Sequence, residues 1–436
     1  QRGYFTRTHA FIINNRHMIK KYLRTSLLLT VGAMLTWGFS SCEKNNDPIE
    51  KELTEKQKEM SQIAKQYVDN TVNLTYKNLA AETSELYDKL KAAKEKFLKD
   101  PKSLTQAEVD EICKTFIKAR SSYEQSEAFL FGAATDFGVD PHIDTWPLDV
   151  DGLAAALTNK YQLEKLGGDE DEAIAYAAGK LGQELLGFHG IEFVIFRNGK
   201  NRTVAALQAN EDNEAFTAIK AQVTGAEELT YATAVAGDLR DRCYQLEVAW
   251  NANAPKAHKD RVEEIELPSS RNGKSYTDDL LGATKAGSGY ATWEEVMTTI
   301  LKAGCENICD EVANTKIGNP YSGKDKNYIE SPYSQRSFID FHDNLISIQN
   351  SLYGGIAGSR NEAVSIMAFM KKYDTAQASK LESDLKAALK ALEDCQTQLK
   401  GGFVSNISNP LVGEAQKKIQ TLDEDLNKAA EWFSKQ

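Results

Sequence analysis

The C-terminal part of the chain repeats apolar residues at intervals of three or four, which is the spacing of one face of an α-helix. The first such stripe stops at the glycine pair Gly401-Gly402 and comprises Leu381, Leu385, Ala388, Leu392, Cys395 and Leu399. A second stripe comprises Ala415, Ile419, Leu422, Leu426, Ala429 and Phe433. Nearly every other periodic segment has the helical period, and strand signals are almost absent. The sequence therefore predicts an all-α fold of two packed helical bundles.

The N-terminal part of the chain has the features of an exported lipoprotein. A basic region at residues 20–24 precedes an apolar stretch at residues 25–39, which is too short for an ordinary transmembrane helix, and Cys42 follows two serines. This order resembles a bacterial lipoprotein signal, in which the cysteine becomes the lipidated first residue. We therefore expect Cys42 to anchor the protein in the bacterial cell envelope, at the outer membrane or in the periplasm. The alternative is a plain cleaved signal followed by a chance cysteine.

This interpretation divides the chain into four parts. Residues 1–41 are a leader and lipoprotein signal peptide, and residues 42–52 are a polar tether. Residues 53–222 are predicted to form an N-terminal helical bundle, and residues 223–436 a C-terminal one. About 390 residues are enough for two domains with a sizeable core.

Charge limits the partners that such a protein can have. The chain has 52 Lys and Arg against 63 Asp and Glu, a net charge of −11. Residues 1–41 contain six of the basic residues and no acidic ones, so the net charge of the mature chain is near −17. A surface of this sign disfavours nucleic acid and anionic lipid headgroups. It suits an envelope protein that handles cations.

A histidine and a glutamate, His189 and Glu192, lie three residues apart in an otherwise apolar segment. Residues at this spacing share one face of a helix, and Leu185 and Phe196 extend the same face. Such a stripe points into the core, where an unpaired ionisable side chain is costly. We expect a metal ion or a network of charges to compensate His189 and Glu192.

A second stripe changes from apolar to polar along the helix that the capping box Thr105-x-x-Glu108 begins. Its polar end carries Arg120, Tyr123 and Glu127. Polar groups on a face directed to the core indicate a binding site or a buried network. The alternative is an Arg–Glu ion pair that ties helices together.

A third polar group consists of Asp340, His342 and Asp343. His342 and Asp343 lie off the apolar stripe of their helix, so they either line a cleft or are simply solvated.

The segment from Gly187 to Phe193 resembles the G-x-H-x-x-E-F signature of the imelysin family. Weaker landmarks agree over a range from about residue 55 to the C-terminus, namely Arg120-x-x-Tyr123, Trp146-Pro147 and Ser337-Phe338-x-Asp340. The second glycine of the motif, Gly190, stands where a small residue such as alanine is usual. The resemblance implies an all-helical, two-bundle protein of the cell envelope. The family has been filed among the metallopeptidases, and related members look like iron-uptake or iron-regulated proteins.

In relatives of this family the motif is thought to bind metal, which implies a divalent ion, iron or zinc, as cofactor. We expect His189 and Glu192 to be two ligands and Glu127 the third, with Arg120 or Tyr123 orienting a carboxylate. One nitrogen and two oxygens suit Fe(II), Zn(II) or Mn(II). The expected role is iron or haem acquisition, with a metal ion or haem and other envelope uptake components as partners, and no nucleic acid.

Two other interpretations stay open at this point. The first is a metallopeptidase of the imelysin type, although the chain lacks the His-Glu-x-x-His pattern and offers no evident general base beside the expected ligands. The second is a binding module in which the His-Glu pair belongs to a structural network without metal.

Overall fold

The computed structural model describes residues 53–436, and this part of the chain is predominantly helical. Its α-helices span Glu55–Tyr67, Asn73–Lys99, Gln106–Glu124, Ala133–Asp136, Asp140–Ile143, Val150–Thr158, Lys160–Leu166, Glu170–Lys180, Gly187–Ile195, Val204–Gln208, Glu214–Ala218, Gly225–Trp250, Lys256–Glu264, Tyr276–Leu281, Trp293–Thr299, Asn307–Asp310, Gly318–Ser322, Ser337–Tyr353, Ile366–Tyr373, Thr375–Gln398 and Pro410–Phe433. Turns of π-helix span Val68–Val72, Ile300–Glu306 and Glu311–Lys316, and 3₁₀ turns span Pro101–Ser103, Glu127–Phe129, Gln183–Leu185 and Phe403–Ser405. The predicted signal peptide, tether and lipidated Cys42 lie outside the described residues.

One bundle is built around two long helices, Asn73–Lys99 and Gly225–Trp250, which pack against each other. The Gln106–Glu124 helix packs on the first of these. The short Gly187–Ile195 helix packs on both Gly225–Trp250 and Gln106–Glu124, and all nine of its residues are buried. A short helix that is mostly apolar on every side, with His189 and Glu192 as its only polar side chains, is stable only in such a position, inside a larger core.

The second bundle contains both apolar stripes identified in the sequence. The helices that carry them, Thr375–Gln398 and Pro410–Phe433, pack against each other, and every residue of the two stripes is buried. The Ser337–Tyr353 helix packs on Thr375–Gln398 and also on Gln106–Glu124 of the first bundle, which joins the two bundles. The prediction of an all-α fold with two packed bundles is confirmed.

The predicted domain boundary between residues 222 and 223 falls just before the Gly225–Trp250 helix. That helix packs with the first bundle, and residues 53–436 together form one compact unit. The division of the chain into domains at this boundary stays a prediction.

Two predicted helical stripes extend beyond the helices that the structure contains. The helix with His189 ends at Ile195, because Phe196–Arg197 and Lys200–Asn201 pair as a two-stranded antiparallel hairpin. The two strands are connected by Asn198-Gly199, and both residues have positive φ. The dipeptide Asn-Gly is the strongest short-range hairpin signal, and here it outweighs the helical pattern. Likewise, the Thr105-capped helix ends at Glu124, so Glu127 lies in a following 3₁₀ turn.

Several helix ends agree with the sequence interpretation. Thr105 and Glu108 form the predicted capping box, and Thr292 caps the helix that follows it. Gly354, in the left-handed conformation, ends the Ser337–Tyr353 helix. Among the described residues, we find no helix with both the length and the apolar character needed to cross a membrane.

Candidate metal centre

The helix with His189 begins at a position that only glycine can occupy. Gly187 has φ of +67°, and a Cβ there would lie 1.8 Å from the carbonyl oxygen of Ile143. This close approach brings the first turn of the helix against the segment that carries Asp144. His189 and Asp144 are consequently neighbours, although they lie far apart in the sequence.

His189 lies between two carboxylates. Its Nε2 is 3.2 Å from Asp144 Oδ1, and its Nδ1 is 3.5 Å from Glu192 Oε2. Burial alone would lower the pKa of His189, but Asp144 and Glu192 outweigh this effect and raise the pKa to about 9. The imidazole of the metal-free protein is therefore protonated at neutral pH.

Glu192 is fixed by a serine from a distant loop. Its Oε1 accepts hydrogen bonds from both the backbone N–H and the hydroxyl of Ser334, each 2.7 Å long. Its Oε2 faces Nδ1 of His189, whereas Asp144 faces Nε2. Glu192 thus contacts the ring nitrogen that a carboxylate commonly holds when the other nitrogen of a histidine binds metal.

Glu330 completes a group of three candidate ligands with Asp144 and His189. One ligand atom of each residue lies within 4.8 Å of the other two, and all three residues are buried. Asp144 Oδ2 and Glu330 Oε2 are buried and make no hydrogen bond, whereas His189 Nε2 faces Asp144 Oδ1. Because buried polar atoms in proteins are nearly always paired, two unpaired carboxylate oxygens beside a histidine indicate a site that can hold a cation.

Arg120 holds the two carboxylates of this group in place. Its guanidinium pairs with Asp144 Oδ1 and with Glu124, and lies 2.6 Å from Glu330 Oε1. Burial disfavours the charge of Arg120, but the surrounding carboxylates raise its pKa above the ordinary value. These contacts use one oxygen of Asp144 and one of Glu330, so the second oxygen of each carboxylate stays available.

A fully buried lysine, Lys316, contacts the same group from another direction. Its Nζ donates hydrogen bonds to Glu127 Oε2 at 3.0 Å, to Glu330 Oε1 at 3.2 Å and to Asn344 Oδ1 at 3.1 Å. Burial would lower the pKa of Lys316, but Glu127 and Glu330 raise it well above the ordinary value. The lysine therefore carries its charge inside the core.

The sequence also placed Glu127 and Tyr123 at this site, and both make contacts with other side chains. Glu127 is held by Lys316 and belongs to a second carboxylate group, with Glu124 and Asp144. Tyr123 donates a 2.5 Å hydrogen bond to Asp140. Glu127 and Tyr123 are both buried.

Of the three polar residues Asp340, His342 and Asp343, the first lies near Arg120 and the other two contact neighbouring helices. Asp340 is buried, with Oδ2 3.9 Å from Arg120 Nε. Asp343 is not solvated, because it is buried and accepts hydrogen bonds from Ser121 and Gln125. His342 is 23% exposed, and its Nε2 lies 3.7 Å from Glu393 on another helix.

Sequence reasoning missed Asp144, Glu330 and Lys316. Asp144 precedes Trp146-Pro147, a landmark of the family resemblance, and that proximity was the available signal. The Trp146 ring lies 6.2 Å from the His189 ring and 5.1 Å from Lys316 Nζ. Glu330 lies outside any periodic segment, so no apolar pattern predicted that it is buried.

Gly190 provides a test of how tightly the helix with His189 is packed. A Cβ at Gly190 would lie 2.2 Å from the hydroxyl oxygen of Tyr231, which donates a 2.6 Å hydrogen bond to the Leu185 carbonyl. Gly190→Ala is therefore expected to lower the free energy of unfolding by about 1–3 kcal/mol, despite the better helix propensity of alanine. Gly190→Ala should cost less in the Tyr231→Phe protein than in the wild type, because the nearest obstructing oxygen is gone and only contacts of 3.1 Å and longer remain. Urea denaturation of the three variants measures this, and a double variant as unstable as the sum of the two single changes would contradict it.

Comparisons with known proteins identify the family to which this chain belongs. The family model described as Imelysin matches residues 49–431. Iron-regulated protein A of Synechococcus elongatus is 23% identical over 368 residues, which are 84% of this chain and 85% of that protein.

Two crystal structures show the same fold. One, described as an iron-regulated protein A precursor from Parabacteroides distasonis, has a TM-score of 0.67 at 22% identity, covering 86% of this chain and 95% of that chain. The other, an imelysin-like protein from Psychrobacter arcticum, has a TM-score of 0.51 at 12% identity, covering 86% and 93%. Since the family model spans most of the sequence, the chain belongs to the imelysin family.

Proposed function

We propose that this protein binds one divalent metal ion through Asp144, His189 and Glu330. The observation that carries the proposal is that each of these three buried residues places a ligand atom within 4.8 Å of the other two, and that Asp144 Oδ2 and Glu330 Oε2 make no hydrogen bond. A cation would provide both of these oxygens with a partner. It would also compensate the excess of carboxylates over cationic side chains in this part of the core.

This ligand set differs from the one expected from the sequence, although both contain His189. Glu192 contacts the opposite ring nitrogen and is fixed by Ser334, so we assign it the task of orienting the imidazole. Glu127 is hydrogen-bonded to Lys316 and is not assigned to the ion. The resulting set of one nitrogen and two carboxylates suits Fe(II), Zn(II) or Mn(II).

Iron is the ion that we infer for the cell. The relative from Synechococcus elongatus is named for iron regulation, and the ligand set is compatible with Fe(II). Asp144, His189 and Glu330 are at most 3% exposed, which favours a bare ion over a bulky haem. These two points support a role in iron acquisition, and the lipoprotein-like N-terminal sequence supports a location at the cell envelope.

Calorimetric titration of the metal-free protein with Fe(II), Zn(II) and Mn(II), under anaerobic conditions for iron, tests the site. Wild type is expected to bind one equivalent, and His189→Ala should lower the affinity by at least about tenfold, because the only nitrogen ligand is lost. Glu192→Gln should lower the affinity by about 10–100-fold through the misoriented imidazole. His258→Ala is the control, since His258 pairs with Glu247 away from this group. Equal binding by wild type and His189→Ala would mean that the histidine has a structural role only.

A peptidase function would require more than an ion. It needs a coordination position open to substrate and a general base, whereas the three assigned ligands are buried. Four surface clefts of the described residues are lined by other side chains. Cleavage of an unfolded protein by the wild type, abolished by a chelator and by His189→Ala, would overturn a role limited to binding.

We also propose that the protein is anchored to the envelope by lipid on Cys42. Cys42→Ala is then expected to move the protein from the membrane fraction to the soluble fraction, since the anchor is lost. Cys395→Ala is a suitable control, because that thiol is buried in the helical core. Fractionation followed by immunoblotting measures the distribution, and an unchanged membrane fraction for Cys42→Ala would rule out this anchor.

A further inference from the structure

A second group of carboxylates lies beside the proposed metal ligands. Glu124, Glu127 and Asp144 each place one oxygen within 4.8 Å of the other two, and all three side chains are buried. Asp144 belongs to both groups, so the two groups are joined through one carboxylate. The geometry is that of two adjacent cation positions with a shared ligand.

The second position already has a cation, which the protein itself supplies. Lys316 Nζ lies 3.0 Å from Glu127 Oε2 and 3.8 Å from Glu124 Oε2. It is also 3.2 Å from Glu330 Oε1, so the ammonium contacts members of both groups. The Asn344 side-chain oxygen, at 3.1 Å, provides a third hydrogen-bond acceptor for Nζ.

Local backbone structure accounts for a lysine in this place. Lys316 is the last residue of the π-helical turn Glu311–Lys316, and residues 300–306 form another π-helical turn shortly before it. Such turns are rare, and they are found frequently at functional sites. Lysine is among the residues that are almost never fully buried without a partner. Lys316 is nevertheless completely inaccessible, which fits a residue whose ammonium serves the carboxylates around it.

The charges of this part of the core require such a cation. Glu124, Glu127 and Asp144 are buried, and Arg120 pairs with Glu124 and Asp144 but makes no ion pair with Glu127. Lys316 is the cation that pairs with Glu127 among the described residues. A buried carboxylate that loses its cation becomes strongly destabilising, so another cation is needed when the lysine is absent.

We propose that Glu124, Glu127 and Asp144 form a second cation site whose resident cation is the ammonium group of Lys316. The lysine keeps the centre limited to one metal ion. Without it, the site takes up a hard divalent cation such as Mn(II), because three carboxylates are the ligands that such ions prefer. Asp144 then bridges two ions. The inference rests on the proposed function only where it counts the ion held by His189. Glu124, Glu127 and Asp144 would bind a cation whether or not that ion is present.

The test uses the full chain carrying Lys316→Met, a substitution that keeps the length of the side chain and removes its charge. Wild type and variant are freed of metal and titrated with Mn(II), and the bound equivalents are counted by elemental analysis. Wild type is expected to bind one equivalent and the variant two. Electron paramagnetic resonance of the variant should show two coupled Mn(II) ions, since ions that share a carboxylate lie about 3.5–4 Å apart. Lys380→Met, at an exposed lysine paired with Asp425, is the control and should behave as wild type.

Thermal unfolding supplies a second measurement. Metal-free Lys316→Met should unfold at a lower temperature than wild type, and Mn(II) should raise this temperature more in the variant than in the wild type. Lys316→Met/Glu127→Gln removes one ligand together with the ammonium, and it should lose the additional equivalent. If Lys316→Met binds no more Mn(II) than wild type, or remains unfolded with Mn(II) in excess, the proposal is overturned. One equivalent in the variant and none in the wild type would instead support this site and contradict the one assigned to His189.

Discussion

Arg120→Met is expected to lower the free energy of unfolding by about 3–5 kcal/mol, the usual cost of removing one partner from a buried ion pair. Arg120 is 2% exposed and contacts the carboxylates of Asp144, Glu124 and Glu330. The methionine fills much of the same volume but leaves these carboxylates without their shared cation. Urea denaturation of the metal-free protein at pH 7 measures the difference.

Arg271→Met is the matched control for this change. Arg271 is 59% exposed and lies 3.8 Å from Asp136, so its loss should cost less than about 1 kcal/mol. The deficit of Arg120→Met should also become smaller in acid. Burial would raise the pKa of Asp144, but Arg120 lowers it below the ordinary value, so the stability that depends on this pair is present at neutral pH and disappears as Asp144 is protonated. Equal losses for Arg120→Met and Arg271→Met would show that the buried network does not stabilise the fold.

Metal affinity is expected to rise between pH 7 and 9, by about tenfold for each pH unit from His189 alone, because His189 must lose a proton before Nε2 can bind an ion. Burial opposes protonation, but Asp144 and Glu192 raise the pKa of His189 to about 9, so the proton is held throughout this range. The increase should level off above pH 9. Burial also raises the pKa of Glu330 to about 8, which adds a second proton to the release below that pH. Zn(II) titrations in buffers of different ionisation enthalpy measure both affinity and protons released.

The metal-free fold should respond to pH in the opposite direction. A histidine whose pKa is raised by folding contributes its full stabilisation below the unfolded value of about 6.5, and this contribution is lost as pH rises through about 9. Chelator-treated wild type should therefore be less stable at pH 9.5 than at pH 6.5, and His189→Gln should lack this part of the decrease. A metal affinity that does not change between pH 7 and 9 would show that His189 carries no proton that the metal has to displace.

The helical architecture could be predicted because the buried face of each bundle helix is visible in the sequence as apolar residues at helical spacing. The stripe from Leu381 to Leu399 and the stripe from Ala415 to Phe433 are buried as expected. The hairpin at residues 196–201 was overlooked, although Asn198-Gly199 is a strong turn signal. There, two residues with positive φ determine the local structure, and an apolar pattern carries no information about φ.

The centre could be predicted only where its residues lie on a periodic helix. His189, Glu192 and Arg120 interrupt apolar stripes, and this conflict between polarity and position shows that they are buried with partners. Asp144 and Glu330 come from irregular segments, where no period distinguishes an inward from an outward side chain. Their contribution follows from tertiary contacts alone, such as the approach of Gly187 to Ile143.

The three assigned ligands come from separate stretches of chain, with Asp144 and His189 before the Gly225–Trp250 helix and Glu330 after it. They meet only when both bundles have packed together, so a chain that is still unfolded offers no preformed site. If the protein is exported unfolded, as the proposed lipid anchor on Cys42 requires, it would cross the membrane without its ion. The ion that it then acquires would reflect the metal supply of the compartment in which folding finishes, and not that of the cytoplasm in which the chain was made.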